Sequence, residues 1–244
     1  MISQETILIL AGALAGGFVS GLTGFGTGLT ALPLWLLAVP PTVAAQLVSG
    51  CSVASQIQTL PAIWPLIRWR SVTPFIIAGL IGVPAGVWVL PHIDPRHFKL
   101  GVGGLLVLYC GFMALNRDAL RVRGGGAAAD AGIGLVAGFL GGVAGLSGAL
   151  VTVWAGLRGL EKDAKRALFQ SFNLTILAAM LIVSAGRGLM TREFFAAFVL
   201  ALPGTLVGSR LGHWLYRRLD NRRFDIVVLA LLLASGLLLL WTNR

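Results

Sequence analysis

Charge is scarce in this sequence. Only 11% of the residues are Asp, Glu, Lys or Arg, against about 25% in a soluble domain, and 57% are hydrophobic. A water-soluble globular domain is thereby excluded, and an integral membrane chain is expected. Acidic residues number nine in 244 and lie in loops or at the ends of apolar runs, so the buried carboxylate relays common in proton-coupled carriers are missing. The two cysteines, Cys51 and Cys110, form no CxxC and have no histidine partner. They read as packing residues, with no disulfide framework or thiolate metal site. His92, His97 and His213 fall near span ends, and no metal and no cofactor is called for. An intramembrane enzyme would need a Ser/His/Asp set, an HExxH or a paired carboxylate within the apolar runs, and none is there.

What the sequence has in abundance is long uncharged runs. Spans are expected at 42–67, 71–91, 98–116, 167–186, 194–215 and 225–242, with two further apolar runs at 7–39 and 131–157. A helix needs about 20 residues to cross a hydrocarbon core about 30 Å thick. The runs do not alternate polar with apolar, which excludes a β-barrel. The net charge of +10 comes from arginines and lysines in short loops rather than from a basic face interleaved with aromatics, so it reports membrane topology and not nucleic acid. The amino terminus, "MISQETILIL", lacks the basic n-region of a cleaved signal peptide, and the chain is read as starting mature.

The chain is a duplication. A shift of 121 lays "GGFVSGLTGFGTGL" on "AGFLGGVAGLSGAL", matching Gly17 with Gly138, Phe18 with Phe139, Gly21 with Gly142, Gly24 with Gly145 and Leu29 with Leu150. With small insertions Gly82 and Gly86 fall on Gly204 and Gly208, and "DPRHFK" on "DNRRFD". Repeat one is assigned to 1–116, a cytoplasmic linker to 117–129 and repeat two to 130–244, because "NRDALRVRGGGAAAD" is charged and then Gly/Ala-rich. Such halves are a common transporter plan.

Basic residues decide how the halves are oriented. If runs 7–39 and 131–157 each cross once, the two sides carry 8 and 10 basic residues, which is no bias. If each enters and returns, one side gathers Arg68, Arg70, Arg117, Arg121, Arg123, Arg158, Lys162, Lys165, Arg166, Arg217, Arg218, Arg222 and Arg223. The other keeps Arg96, Lys99, Arg187, Arg192 and Arg244, a partition of 13 to 5, with Arg210 inside a span. Hairpins are therefore expected, with inverted repeats and both termini outside. Length agrees: a continuous helix over the 33 residues from Ile7 to Val39 would run about 50 Å. Split at the glycines, Ile7–Ser20 gives about 21 Å and Leu29–Ala38 about 15 Å, each reaching the midplane. The expected fold is all-α and integral to the membrane: two inverted repeats, each a Gly-broken re-entrant helix hairpin plus three transmembrane helices.

Two glycine breaks at membrane depth define the expected site. Irregular backbone is tolerated there only where it is buried in protein or lines a wet cavity. Each returning half-helix starts near Thr27 or Gly148 and presents free N–H groups and the positive end of its dipole, which favours an anion. The substrate-binding set is Thr23, Gly24, Phe25, Gly26 and Thr27 on the first tip and Gly145, Leu146, Ser147 and Gly148 on the second. Gln46, Ser49, Ser52 and Gln56 fall at helical spacing on one face of the following span, with Gln170 and Asn173 as counterparts, and look like a cavity wall. Single amides of this kind serve equally well as interhelical hydrogen-bonding groups. Arg210 either meets an anionic substrate or snorkels to the interface. Gly82, Gly86, Gly204, Gly208 and Gly212 read as helix-packing positions. "GFGTGL" is no dinucleotide motif, because Leu29 stands where GxGxxG needs glycine.

The paired motifs "GGFVSGLTGFGTG" and "AGFLGGVAGLSGA", each opening one half, resemble the sulfite exporter TauE/SafE family of membrane permeases over nearly the whole chain. The resemblance implies transport of sulfur-containing anions such as sulfite, sulfoacetate or other organosulfonates across the bacterial cytoplasmic membrane. Ser147 stands where repeat one has Gly26, so the two tips are expected to bind unequally. Expected partners are a small anionic substrate and membrane lipid, with a homodimer left open and no nucleic acid. A channel for anions or another small solute is the alternative within transport, and a structural or assembly role the alternative outside it.

Overall fold

The computed structural model describes residues 4–92 and 126–241, with scattered positions between 94 and 111. The span expected at 98–116, Cys110 and residues 117–125 of the expected linker fall mainly or wholly outside the described residues. Nine α-helices are seen among the described residues: α1 Gln4–Thr23, α2 Thr27–Trp35, α3 Pro41–Ile63, α4 Trp69–Val89, α5 Gly126–Ala144, α6 Gly148–Leu157, α7 Lys162–Gly186, α8 Arg192–Tyr216 and α9 Asn221–Trp241. Short 3-10 turns at Trp64–Leu66 and Leu90–His92 follow α3 and α4. Five stretches, Gln4–Thr23, Trp69–His92, Gly126–Ala144, Lys162–Gly186 and Arg192–Tyr216, are long and apolar enough to cross a membrane.

Local chemistry sets the ends of these helices. Pro41 opens α3, where its missing N–H would have no intrahelical partner anyway. Thr191 caps α8, its hydroxyl accepting the Phe194 N–H at 3.2 Å. Between α1 and α2 the chain turns through Gly24 and Gly26, at φ +83° and +95°, and between α5 and α6 through Gly145 at φ +69°. These left-handed conformations suit glycine because it has no Cβ to clash.

Each short helix runs back along its predecessor. Trp35 Nε1 at the end of α2 donates to the Ile9 carbonyl near the start of α1, at 3.0 Å. Trp154 Nε1 on α6 donates to Asp130 on α5 at 2.7 Å, and Arg158 pairs with the same carboxylate oxygen at 3.1 Å. Ile9 and Asp130 are equivalent under the shift of 121, so an indole closes the open end of both hairpins, on a carbonyl in one and a carboxylate in the other. The arms differ more than expected, the first being longer: α1 has 20 residues and α2 nine, about 30 and 14 Å. The first arm does not stop halfway, because the helix continues through Gly21 to Thr23 before it breaks.

The two halves interlock. The most extensive packing joins α1 to α8 and α4 to α5, which are equivalent pairs under the repeat. Gly17 and Gly21 lie against the backbone of Thr205 and Ser209, and Gly212 against that of Phe18 and Leu22. In the other pair Gly82 meets Leu135 and Gly138, and Gly86 meets Phe139 and Gly142. Residue numbers rise together across both seams, so each pair is parallel. The equivalent helices α3 and α7 instead run antiparallel, with Gln56 beside Gln170, Ser49 beside Met180 and Gln46 beside Leu189.

The glycines expected to pack helices do so: at Gly82, Gly86, Gly208 and Gly212 an added side chain would meet backbone within 2.3 Å, and at Gly204 it would meet Ala13 Cβ at 3.3 Å. A side chain at Gly138 would strike the Gly79 carbonyl, which no rotamer change relieves. Gly138→Leu is expected to lower the melting temperature of the detergent-solubilised protein by about 5 °C or more. An unchanged melting temperature would show that α4 and α5 do not approach this closely.

Candidate functional site

The two turns meet in the interior. A Cβ added to Gly148 would lie 2.6 Å from Phe25 Cβ, and one on Gly28 would lie 2.8 Å from Leu146 Cδ2 and 3.2 Å from the Gly145 carbonyl oxygen. Phe25 and Leu146, equivalent under the repeat, thus each cover the start of the other hairpin's short helix. Phe25 also packs edge-on against Phe169, with ring centroids 5.2 Å apart. The starts of α2 and α6 are buried, and their N-cap residues Gly26 and Ser147 make no side-chain capping bond. Each helix start carries about +0.5 of an elementary charge from its aligned peptide dipoles, so two positive ends lie close together inside the protein.

The hydroxyls expected to serve a ligand are occupied in holding the turns. Thr23 Oγ1 lies 2.9 Å from the Val19 carbonyl and 2.8 Å from that of Phe25, and accepts the Phe25 N–H. Thr27 Oγ1 reaches the Gly16 carbonyl at 3.5 Å, and Ser147 donates to Asn173 Oδ1. Gly26 and Ser147 also differ in backbone: Gly26 is left-handed, while Ser147 is right-handed at φ −63°. The residues at this position therefore shape two different turns.

The polar row is buried as a unit, between α3, α7 and the turns. Gln46, Ser49, Ser52, Gln56, Gln170 and Asn173 are all at most 2% exposed. Ser49 lies beside Gly145, whose added Cβ would be 3.3 Å from Ser49 Oγ. Gln170 lies beside Gly24 and donates to the Gln56 carbonyl and to Thr59 Oγ1, both at 3.0 Å. Gln46 is tied to the Leu189 carbonyl at 2.9 Å, toward the other end of α7. Both amide atoms of Gln56, and Oε1 of Gln46 and Gln170, are buried without a partner. Buried amides left unpaired are costly.

Arg210 is not brought to the turns. It is exposed on α8, and with the Gln58 amide oriented to donate to the Leu206 carbonyl, Gln58 Oε1 accepts from Arg210 Nε at 2.9 Å. Among the described residues the fully buried cation is Arg166, a charge assigned above to the loops. Its guanidinium donates to the carbonyls of Leu22 and Gly21, at 2.6 and 2.7 Å, and so satisfies the last turn of α1 before the break. It also lies 3.1 Å from His213 Nδ1 and stacks over Tyr216 at 3.9 Å. Helix α7 begins at Lys162 rather than at 167, because cutting the span at its first charges mistook charge for helix termination. The readable signal was spacing: Arg166 is one turn before Gln170 and so shares its face.

A helical bundle with spanning-length apolar helices, enclosing two broken helices and a buried polar row, defines a multi-pass membrane protein with an internal polar site. The family described as "Sulfite exporter TauE/SafE" matches residues 8–239, and the chain belongs to that family of membrane permeases. It is 28% identical over 173 residues to "Probable inner membrane transporter protein TsaS" of Comamonas testosteroni, covering 70% of this chain and 72% of that protein. It is 26% identical over 203 residues to "Probable sulfite/organosulfonate exporter TauE" of Cupriavidus necator, covering 81% and 79%. No solved structure matches.

Proposed function

We propose that the protein exports small sulfur-containing anions, such as sulfite or an organosulfonate, and binds them between the two glycine turns. The observation that carries this reading is the convergence of two uncapped, buried helix starts, those of α2 and α6, across Phe25 and Leu146. Positive dipole ends and free backbone N–H groups favour an oxyanion. Neutral donors also let it leave again.

In this reading the halves are inverted repeats, residues 1–116 and 130–244 joined by the 117–129 linker, and the hairpins are re-entrant. Support comes from helix direction. Equivalent helices α3 and α7 run antiparallel, as a two-fold axis lying in the membrane plane requires, while α1 with α8 and α4 with α5 run parallel. Alternating access then follows from rocking one repeat against the other. Lipid covers the apolar outer faces, where Ile77, Ile81, Val199 and Val207 are exposed.

Topology is tested with an impermeant thiol reagent on single cysteines at Ser3, Arg121 and Asn243. Labelling at both termini in intact cells, with Arg121→Cys protected, is expected. Protection of both termini in a normally inserted protein would contradict the inverted arrangement. Ligand class is tested by thermal shift of the purified protein: sulfite or sulfoacetate should stabilise it, and chloride at equal ionic strength should not. Stabilisation by none of the anions would count against an anion site.

A further inference from the structure

We propose that Arg166 is the fixed counter-charge of the transported anion, in a subsite completed by the Gln56 and Gln170 amides beside the first turn. The inference rests on the exporter reading and names a residue of the same site.

Arg166 is fully buried and forms no ion pair among the described residues. Its two terminal nitrogens are taken by the last carbonyls of α1 and by His213, but its Nε–H has no partner. The α1 terminus supplies about half an elementary negative charge, and Asp163, whose carboxylate is bonded to the hydroxyl of the Tyr216 ring on which the guanidinium stacks, adds a longer-range attraction without an ion pair. The buried Nε–H still lacks an acceptor, which is costly, and a bound oxyanion supplies one. The fold places it beside the turn: a Cβ on Gly24 would lie 3.5 Å from Arg166 Cγ and 3.4 Å from Gln170 Cβ. Gln170 links the subsite to α3 through the Gln56 carbonyl and Thr59. The free donors there are Arg166 Nε–H and the Gln56 amide, and the free acceptors are Gln56 Oε1 and Gln170 Oε1. That set suits a singly charged oxyanion, above all one that also carries a proton, as hydrogen sulfite does.

The second turn has no such charge. The shift of 121 puts Ala45 in the place of Arg166 and Ser49 in the place of Gln170, and Gly145 accordingly faces Val48 and Ser49. One turn thus offers a charged subsite and the other a neutral one. Arg166 is the fifth residue of α7, about 6 Å from its start. In the proposed topology that start is cytoplasmic, so the charged subsite is the one an outgoing anion meets first.

The test is sulfite binding to the purified full chain, by calorimetry, with chloride replacing sulfite as control. Arg166→Gln is expected to weaken binding about ten- to a hundredfold, the loss typical of a charge-assisted hydrogen bond, and Arg166→Lys to recover part of it. Since Arg166 also holds the end of α1, Gln56→Leu is the second variant. Its side-chain amide has no partner to lose, so a purely structural role predicts an equal or higher melting temperature and unchanged binding. A higher melting temperature with sulfite binding weakened several-fold supports the subsite. Wild-type binding that Arg166→Lys and Gln56→Leu both retain in full overturns the inference and leaves the exporter reading standing. Absence of binding to the wild type overturns both.

Discussion

Valine at Gly24 or Gly145 is expected to abolish transport. Both positions lie in the left-handed region, at φ +83° and +69°, which costs a residue with a Cβ about 1–2 kcal/mol. The two differ in their surroundings. At Gly145 a Cβ would stand 2.6 Å from Val48 Cγ1, so the turn must move. At Gly24 the nearest atoms are 3.4 Å or more away, so a larger side chain fits in space but projects beside Arg166 and Gln170. Gly24→Ala therefore isolates backbone strain, and Gly24→Val adds bulk; the alanine variant should retain more transport. Gly132, exposed on α5 with nothing within 4 Å of an added Cβ, is the control, and Gly132→Ala should transport normally. Flux in proteoliposomes, with size-exclusion profiles to verify folding, gives the answer. Normal transport by well-folded Gly24→Val and Gly145→Val would place the pathway elsewhere.

The sequence displayed the helical class, the break positions and the packing glycines, because each depends on local chemistry: run length, positive φ and absence of Cβ. The row from Gln46 to Gln56 was visible from 3.6-residue spacing, and Gln170 and Asn173 as its counterparts in the second repeat. Arg166 was not, since a charged residue at the end of an apolar run looks like a loop residue until the carbonyls of a helix from the other half are seen against it. Arg210 shows the converse: it lies within an apolar run, yet its side chain is exposed on α8 and bonded to Gln58. The partners of the hydroxyls were not legible either: Thr23 Oγ1 bonds the backbone of its own turn, and Ser147 Oγ bonds the Asn173 side chain on α7.

Membrane potential alone should drive the export, the second large effect. An anion leaving a cell that is negative inside gains about 2.3 kcal/mol per charge per 100 mV, roughly a fifty-fold gradient. The described acids sit at or near helix ends, as Glu5, Asp163 and Glu193 do in first turns, or are paired, as Asp130 is with Arg158. A proton relay built on carboxylates therefore has no carrier midway along the described helices, and uniport is the expected mode. The deciding measurement is sulfite flux from proteoliposomes holding the purified protein, with the potential set by potassium and valinomycin and with pH and sodium equal on both sides. Protein-dependent flux that reverses with the sign of the potential is the predicted result. Flux that ignores the potential and follows an imposed proton or sodium gradient would contradict uniport, and flux no greater than in protein-free vesicles would contradict the sulfite-export reading.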